Sequence, residues 1–220
     1  MKITNLKQGV KNPNRVNVFV DDKYSFSLDL AQVVDFKLKI GQEITPEKLT
    51  EYKTASDFGK LYQRTLEWVL IRPRSIKETR EYLAKKRFKS SFEGPKTWAS
   101  APERPKKESF EPSEEIISRL ISKGYLDDQS FAEYYCENRF VKKGISRKRL
   151  RMELIKKGIA NDIINQVLNK RSDDEEILKI IAKKRKKYDD DKLIQYLVRQ
   201  GFDYQLAQNL VRETDSQNLE

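Results

Sequence analysis

The chain has 220 residues, with 45 Lys and Arg against 34 Asp and Glu and a formal net charge of +11. Without His there is no Ser-His-Asp triad, no His general base and no mixed Cys/His zinc site, and the lone Cys136 cannot close an internal disulfide. An apolar fraction of 37% against a charged fraction of 36% favours small helical modules over one thick core, and the positive excess makes a polyanion the first partner to consider.

The chain opens on strand signals. Ile3 to Gln8 supplies one strand, and a turn cluster at Lys11-Asn12-Pro13-Asn14 follows. Val16, Val18 and Val20 alternate with Asn17 and Phe19, Asp21-Asp22-Lys23 offers a turn, and Tyr24, Phe26 and Leu28 alternate with Ser25 and Ser27, which predicts a hairpin. Leu30 to Leu38 reads as a short helix ending near Gly41, and Thr45-Pro46-Glu47-Lys48 starts another with a cap residue and Pro at the first helical position. Residues 1–56 are therefore expected to form a small α+β head.

From Asp57 onward the strand signal vanishes. Helical patterns cover Asp57 to Leu70, Ser75 to Arg87, Ser113 to Lys123, Asp127 to Lys142, Ser146 to Lys157, Asn161 to Lys170, Asp173 to Lys187, Asp191 to Gln200 and Tyr204 to Glu213. They divide into three groups of three, because Leu83-Ala84-Lys85-Lys86-Arg87-Phe88 aligns with Leu154-Ile155-Lys156-Lys157-Gly158-Ile159 and with Leu197-Val198-Arg199-Gln200-Gly201-Phe202. Gly158 and Gly201 suit the left-handed residue that ends a helix, and the apolar residue after each packs back on the last turn; Arg87 stands where the first unit should have that Gly, so its cap is expected to be strained or built differently.

The expected fold is mainly α: three tandem three-helix, helix-turn-helix-like repeats in an elongated array, at 57–126, 127–170 and 171–220, behind the head. Residues 89–112 hold Pro95, Pro102, Pro105 and Pro112 with little periodicity and are expected to be a flexible insert in the first repeat, with Phe92, Trp98 and Phe110 as either loose packing or a partner contact. Neither Met1 to Val10 nor any later segment has the apolar run of a signal peptide or membrane span, so a soluble, cytoplasmic protein is expected, with no membrane partner.

The stretch Gly124-Tyr125-Leu126-Asp127-Asp128-Gln129-Ser130-Phe131-Ala132, followed by Tyr135, Arg139, Lys142-Lys143-Gly144 and the segment Arg147 to Gly158 with Leu150 and Leu154, resembles the RecX family of RecA regulators. The likeness covers about Leu61 to Arg212, and the hairpin head resembles an extension found in some members. The resemblance implies a protein that lies in the helical groove of the RecA filament on single-stranded DNA, bridges its subunits, and restrains strand exchange, ATP turnover and co-protease activity.

The residues add a physical signal of their own. From 139 to 157 the chain holds Arg139, Lys142, Lys143, Arg147, Lys148, Arg149, Arg151, Lys156 and Lys157 against Glu153 alone, a one-signed run that calls for a polyanion. Leu150 and Leu154 define its buried side, Arg149 and Lys156 fall together opposite, and Arg151 snorkels beside the core stripe. A second block is Lys183-Lys184-Arg185-Lys186-Lys187, which the helix dipole also favours; a third comprises Arg72, Arg74, Lys77, Arg80, Lys85, Lys86 and Arg87. Together the blocks could form a track for phosphates that binds without sequence choice, with no base-reading residue to name, and the resemblance implies single-stranded DNA as the strand bound, duplex DNA more weakly.

Asp127-Asp128, Asp173-Asp174-Glu175-Glu176 and Asp189-Asp190-Asp191 sit at helix starts, where carboxylates cap free amides, so they are expected to be structural rather than catalytic or metal-binding. Tyr134, Tyr135, Phe140, Tyr188 and Tyr196 read mostly as core, with Tyr135 or Tyr188 as candidates for stacking on a base, and Cys136 reads as a buried inert thiol. The expectation is a monomeric, non-enzymatic modulator of RecA without cofactor or metal. The rival is a helix-turn-helix DNA-binding regulator acting without RecA; three unequal units in one chain suit an extended groove better than a palindromic site.

Overall fold

A computed structural model of the chain describes residues 1–10, 12–90 and 112–216. These residues fall into two compact units, one of Met1–Trp68 and the other from Val69 onward.

In the first unit β1 (Ile3–Gln8), β2 (Arg15–Val20) and β3 (Lys23–Asp29) form an antiparallel sheet in the order β1-β2-β3. Alternation sorts the two faces: Val18, Val20, Phe26 and Leu28 are buried with Ile3, while Phe19 points the other way, meets Tyr24 edge-on at 6.1 Å between ring centres, and lies under the Lys7 ammonium. Asp21 and Asp22 join β2 to β3 with φ of +47° and +64°, the paired left-handed geometry that matches the strand twist and that aspartate tolerates. α1 (Leu30–Asp35) begins with a reciprocal cap, Asp29 accepting from the Gln32 amide and Gln32 accepting from the Asp29 amide.

α2 (Pro46–Leu70) then runs for 25 residues without a break, so the head boundary placed at residue 56 falls inside a helix. Asp57 invites the reading of a new helix start, but its carboxylate pairs with Lys60 one turn on at 3.2 Å. Ser56 meanwhile donates its hydroxyl to the Ser27 carbonyl at 2.6 Å, and nothing there interrupts the backbone ladder.

The second unit is helical: α3 (Ile76–Ser90), α4 (Pro112–Ser122), α5 (Asp128–Lys143), α6 (Arg147–Lys156), α7 (Asn161–Asn169), α8 (Asp173–Lys184), α9 (Asp190–Arg199) and α10 (Tyr204–Ser216). α5, α6 and α7 enclose one core around Phe131, Leu150, Leu154 and Ile164, and α8, α9 and α10 enclose another around Ile177, Leu193, Leu197 and Ala207. Leu83, Leu154 and Leu197, aligned by the sequence repeat, are all fully buried. α6 and α9 close with the same device: Gly158 and Gly201 adopt φ of +83° and +92°, and the next amides, of Ile159 and Phe202, donate back to the carbonyls of Leu154 and Leu197. α3 instead continues through Arg87 to Ser90, so the missing Gly is answered by prolonging the helix and not by strain. The insert expected at 89–112, with Phe92, Trp98 and Phe110, lies outside the described residues apart from its ends in α3 and α4.

Candidate nucleic-acid interface

Successive helical units are joined by a motif that occurs twice. At the start of α3 the Ile76 amide donates to Asp128 Oδ1 at 2.8 Å, and at the start of α6 the Arg147 amide donates to Asp173 Oδ1 at 2.8 Å. Asp128 and Asp173 are each the first residue of the next unit's leading helix, so a later unit supplies the acceptor that satisfies a free first-turn amide in the earlier one. Burial pushes both carboxyls above the usual aspartate value, against the opposing pull of the amide each accepts from. The serines before these helices, Ser75 and Ser146, are buried and cap locally, Ser75 Oγ accepting from Glu78 N at 3.0 Å and Ser146 Oγ from Arg149 N at 3.2 Å.

Several of the expected phosphate-binding cations are consumed by these joints. Lys157 forms an ion pair with Glu78, to which Arg72 also reaches at 3.4 Å. Burial would raise the Glu78 carboxyl, but hydrogen bonding and charge from Lys157, with Arg72, outweigh it and hold the group below its ordinary value. Lys77 Nζ donates to the Lys156 carbonyl at 3.0 Å, and Ser75 Oγ to the Lys157 carbonyl at 2.9 Å. Arg149 reaches the Arg199 carbonyl at 3.3 Å and lies 3.6 Å from Glu153. α6 packs on its own core and against the neighbouring unit, and Arg149 lies at the second of these contacts while its side chain stays 42% exposed, as expected of it beside the exposed Lys156. Arg147 Nη2 turns to Asn169 at 3.4 Å.

In the third unit Arg185 is likewise internal, donating to the Val211 carbonyl at 3.2 Å and Thr214 Oγ1 at 2.8 Å and pairing with Asp190 at 3.0 Å. Lys184 lies over the stacked rings of Tyr188 and Tyr196, at 5.3 and 4.5 Å, which occupies the candidate stacking surface of Tyr188. Tyr135 packs against its core and donates to Glu153 at 2.8 Å. Arg74 is half-buried, and that burial lowers its guanidinium from its ordinary value. Exposed cations remain at Lys85 and Lys86 on α3, at Lys148 and Lys156 on α6, and at Lys183, Lys186 and Lys187 at and just after the end of α8. The side chains of Arg139, Lys142 and Lys143 lie outside the described residues.

The acidic clusters act as caps: Asp127 accepts from Gln129 and Ser130 amides, and Asp189 from Lys192. Among the described residues no cluster of His, Cys, Asp and Glu is arranged to hold a metal, and no helix is long and apolar enough to cross a membrane. Cys136 is buried beside Arg171, and burial pushes its thiol up. The double role of Asp128 and Asp173 was missed by sequence reasoning; lining up Ser75 with Ser146 across the repeats would have exposed the shared joint.

A small antiparallel head followed by helical units, of which α5–α7 and α8–α10 each enclose a core, linked by a recurring aspartate joint, defines a helical-repeat protein. The comparisons agree. Residues 1–45 match the family described as Regulatory protein RecX N-terminal domain, and residues 127–168 match RecX, second three-helix domain. The Regulatory protein RecX of Bacillus velezensis is 31% identical over 98% of this chain and 78% of its own length, and that of Listeria monocytogenes serotype 4a is 29% identical over 99% and 77%. A crystal structure of regulatory protein RecX shares the fold with a TM-score of 0.65 and 21% identity, covering 96% of this chain and 98% of that one. A RecX structure from Lactobacillus salivarius gives a TM-score of 0.52 and 21% identity over 73% of this chain and 98% of that one. The chain belongs to the RecX family of regulatory proteins.

Proposed function

We propose that the chain regulates RecA by binding its filament on single-stranded DNA, restraining ATP turnover, strand exchange and co-protease activity as a cytoplasmic monomer, and that it does so without catalysing a reaction of its own. The family supports the regulatory role. The observation that carries the mode of action is α6, which buries Leu150 and Leu154, gives Arg149 to the joint, and still presents Lys148 and Lys156 to solvent. In this reading the units at 57–126, 127–170 and 171–220 engage the filament in succession, with the exposed lysines after α8 extending the phosphate contact.

Lys148→Glu together with Lys156→Glu tests it. The pair should weaken filament binding and lower the dependence of log affinity on log salt by roughly 0.7 to 0.9 per lost phosphate contact, with helicity unchanged. Tight binding of the wild-type chain to one duplex sequence at physiological salt, with no effect on RecA turnover, would replace this reading with a DNA-binding regulator independent of RecA.

A further inference from the structure

The helix-ending device of α6 and α9 recurs after α4, where the Tyr125 amide, just beyond Gly124, donates to the Leu120 carbonyl at 2.9 Å. The residue in that place is 5% exposed at Ile159 and 3% exposed at Phe202, but Tyr125 is 44% exposed. Its ring stacks on no other and its hydroxyl has no partner among the described residues, whereas Tyr135 and Tyr188 are both engaged. Tyr125 borders a cleft of about 280 Å³ beside the first joint, with Leu70 and Pro73 on its apolar edge and Arg72 and Arg74 on its charged one.

The second joint fills the equivalent places. With Ser75 aligned on Ser146, Arg74 stands where Ile145 is buried, and Pro73 stands where Gly144 lies so close to Ile180 that a Cβ would collide with it. An arginine in that slot brings a charge that packing does not require, and burial, then Arg72, lowers its guanidinium from the ordinary value. Glu78, 3.4 Å from Arg72, is shared with Lys157. Asp127 also borders the cleft, but its carboxylate accepts the Gln129 and Ser130 amides. The arginine side is left positive, next to an open aromatic face.

We propose that this cleft binds a nucleoside phosphate, with the base on the Tyr125 ring against Leu70 and Pro73 and the phosphate held by the Arg72 and Arg74 guanidinium groups. An aromatic face accepts any base and guanidinium groups match phosphate oxygens, so the site selects a nucleotide and not a sequence. The same contacts serve a nucleotide within a single strand and a free one. The assignment goes beyond the filament reading, because it is a property of the chain without RecA.

Tyr125→Ala, Tyr125→Phe and Arg74→Ile in the full chain test it, without RecA. Tyr125 is exposed, so its replacement leaves the core intact, and Arg74→Ile installs the residue that the second joint carries; circular dichroism checks both. Affinity is measured for oligodeoxyadenylate, for an abasic strand of the same length and for dAMP as competitor, all at one salt concentration. The wild-type chain should bind the adenylate strand roughly tenfold more tightly than the abasic one, Tyr125→Ala should bind the two alike, and Tyr125→Phe should keep the preference. Arg74→Ile should lose roughly tenfold on both strands. Displacement of the strand by dAMP identifies a free nucleotide as ligand, and an undisturbed strand preference identifies a strand nucleotide; either result supports the cleft. Equal wild-type affinity for the two strands with no dAMP binding, or a folded Tyr125→Ala variant that keeps the wild-type preference, overturns it and leaves the filament reading standing.

Discussion

Replacing Asp173 with Ala removes the acceptor for the Arg147 amide, a bond of 2.8 Å made across a partly buried joint. A hydrogen bond to a charged acceptor is worth about 1.5–3 kcal/mol, and loss of a first-turn cap costs about 0.5–2 kcal/mol. Because burial already raises the Asp173 carboxyl, its ionised form is not fully compensated, and the net cost belongs near the lower part of those ranges, at about 1–2 kcal/mol. For a chain of this size that corresponds to a fall in Tm of about 2–8 °C. Asp173→Asn keeps an oxygen at the acceptor position and should lose less than half as much. The sign of the pH dependence is fixed by the raised value: the carboxyl contributes most below the ordinary aspartate range and progressively less as pH rises through its folded value. The wild-type margin over Asn should therefore be widest in acid. Thermal melts and hydrogen exchange at the Arg147 amide report the global and local effects. An unchanged Tm with unchanged Arg147 protection in the Ala variant, or an Asn variant as damaged as Ala, would refute the joint.

Glu78→Gln should destabilise the chain at neutral pH. Because the Glu78 carboxyl is held below its ordinary value, the wild-type margin should vanish as pH falls through the lower folded value, which acid titration of Tm would show. Gly124→Ala should cost about 1 kcal/mol from its positive φ alone, since a Cβ there meets open space, whereas Gly201→Ala should cost more because its Cβ would lie 2.7 Å from Ser146 Oγ; denaturant melts separate the two. Arg149→Ala should destabilise the third unit's attachment, while Lys156→Ala should stay within about 0.5 kcal/mol of wild type in the same melts.

The helices were legible because each carries its own apolar stripe and punctuation: Ser146 before α6, Gly158 after it, and Leu150 with Leu154 within. The hairpin was equally plain from the alternation around Asp21-Asp22. Contacts between units were not legible. Arg149 and Lys156 both fall away from the Leu150/Leu154 stripe on a single helix and both reach solvent, but only the packing of a neighbouring unit gives Arg149 a carbonyl of that unit to donate to. Charge counting had the same limit, since it could not tell that Lys157, Arg72 and Arg185 neutralise carboxylates within the fold. Local pattern also hid the unbroken α2, because a cap-forming Asp57 reads alike at a helix start and within a helix when Lys60 answers it.

The aspartate joints also give the chain a direction in time. In each, the amide belongs to a residue made early and the acceptor to one made later: Ile76 waits for Asp128, and Arg147 for Asp173. On the ribosome, α3 and α6 therefore emerge with one first-turn amide still open to water, and each is completed only when the next unit has left the exit tunnel and folded against it. At both joints, the later unit finishes the earlier one.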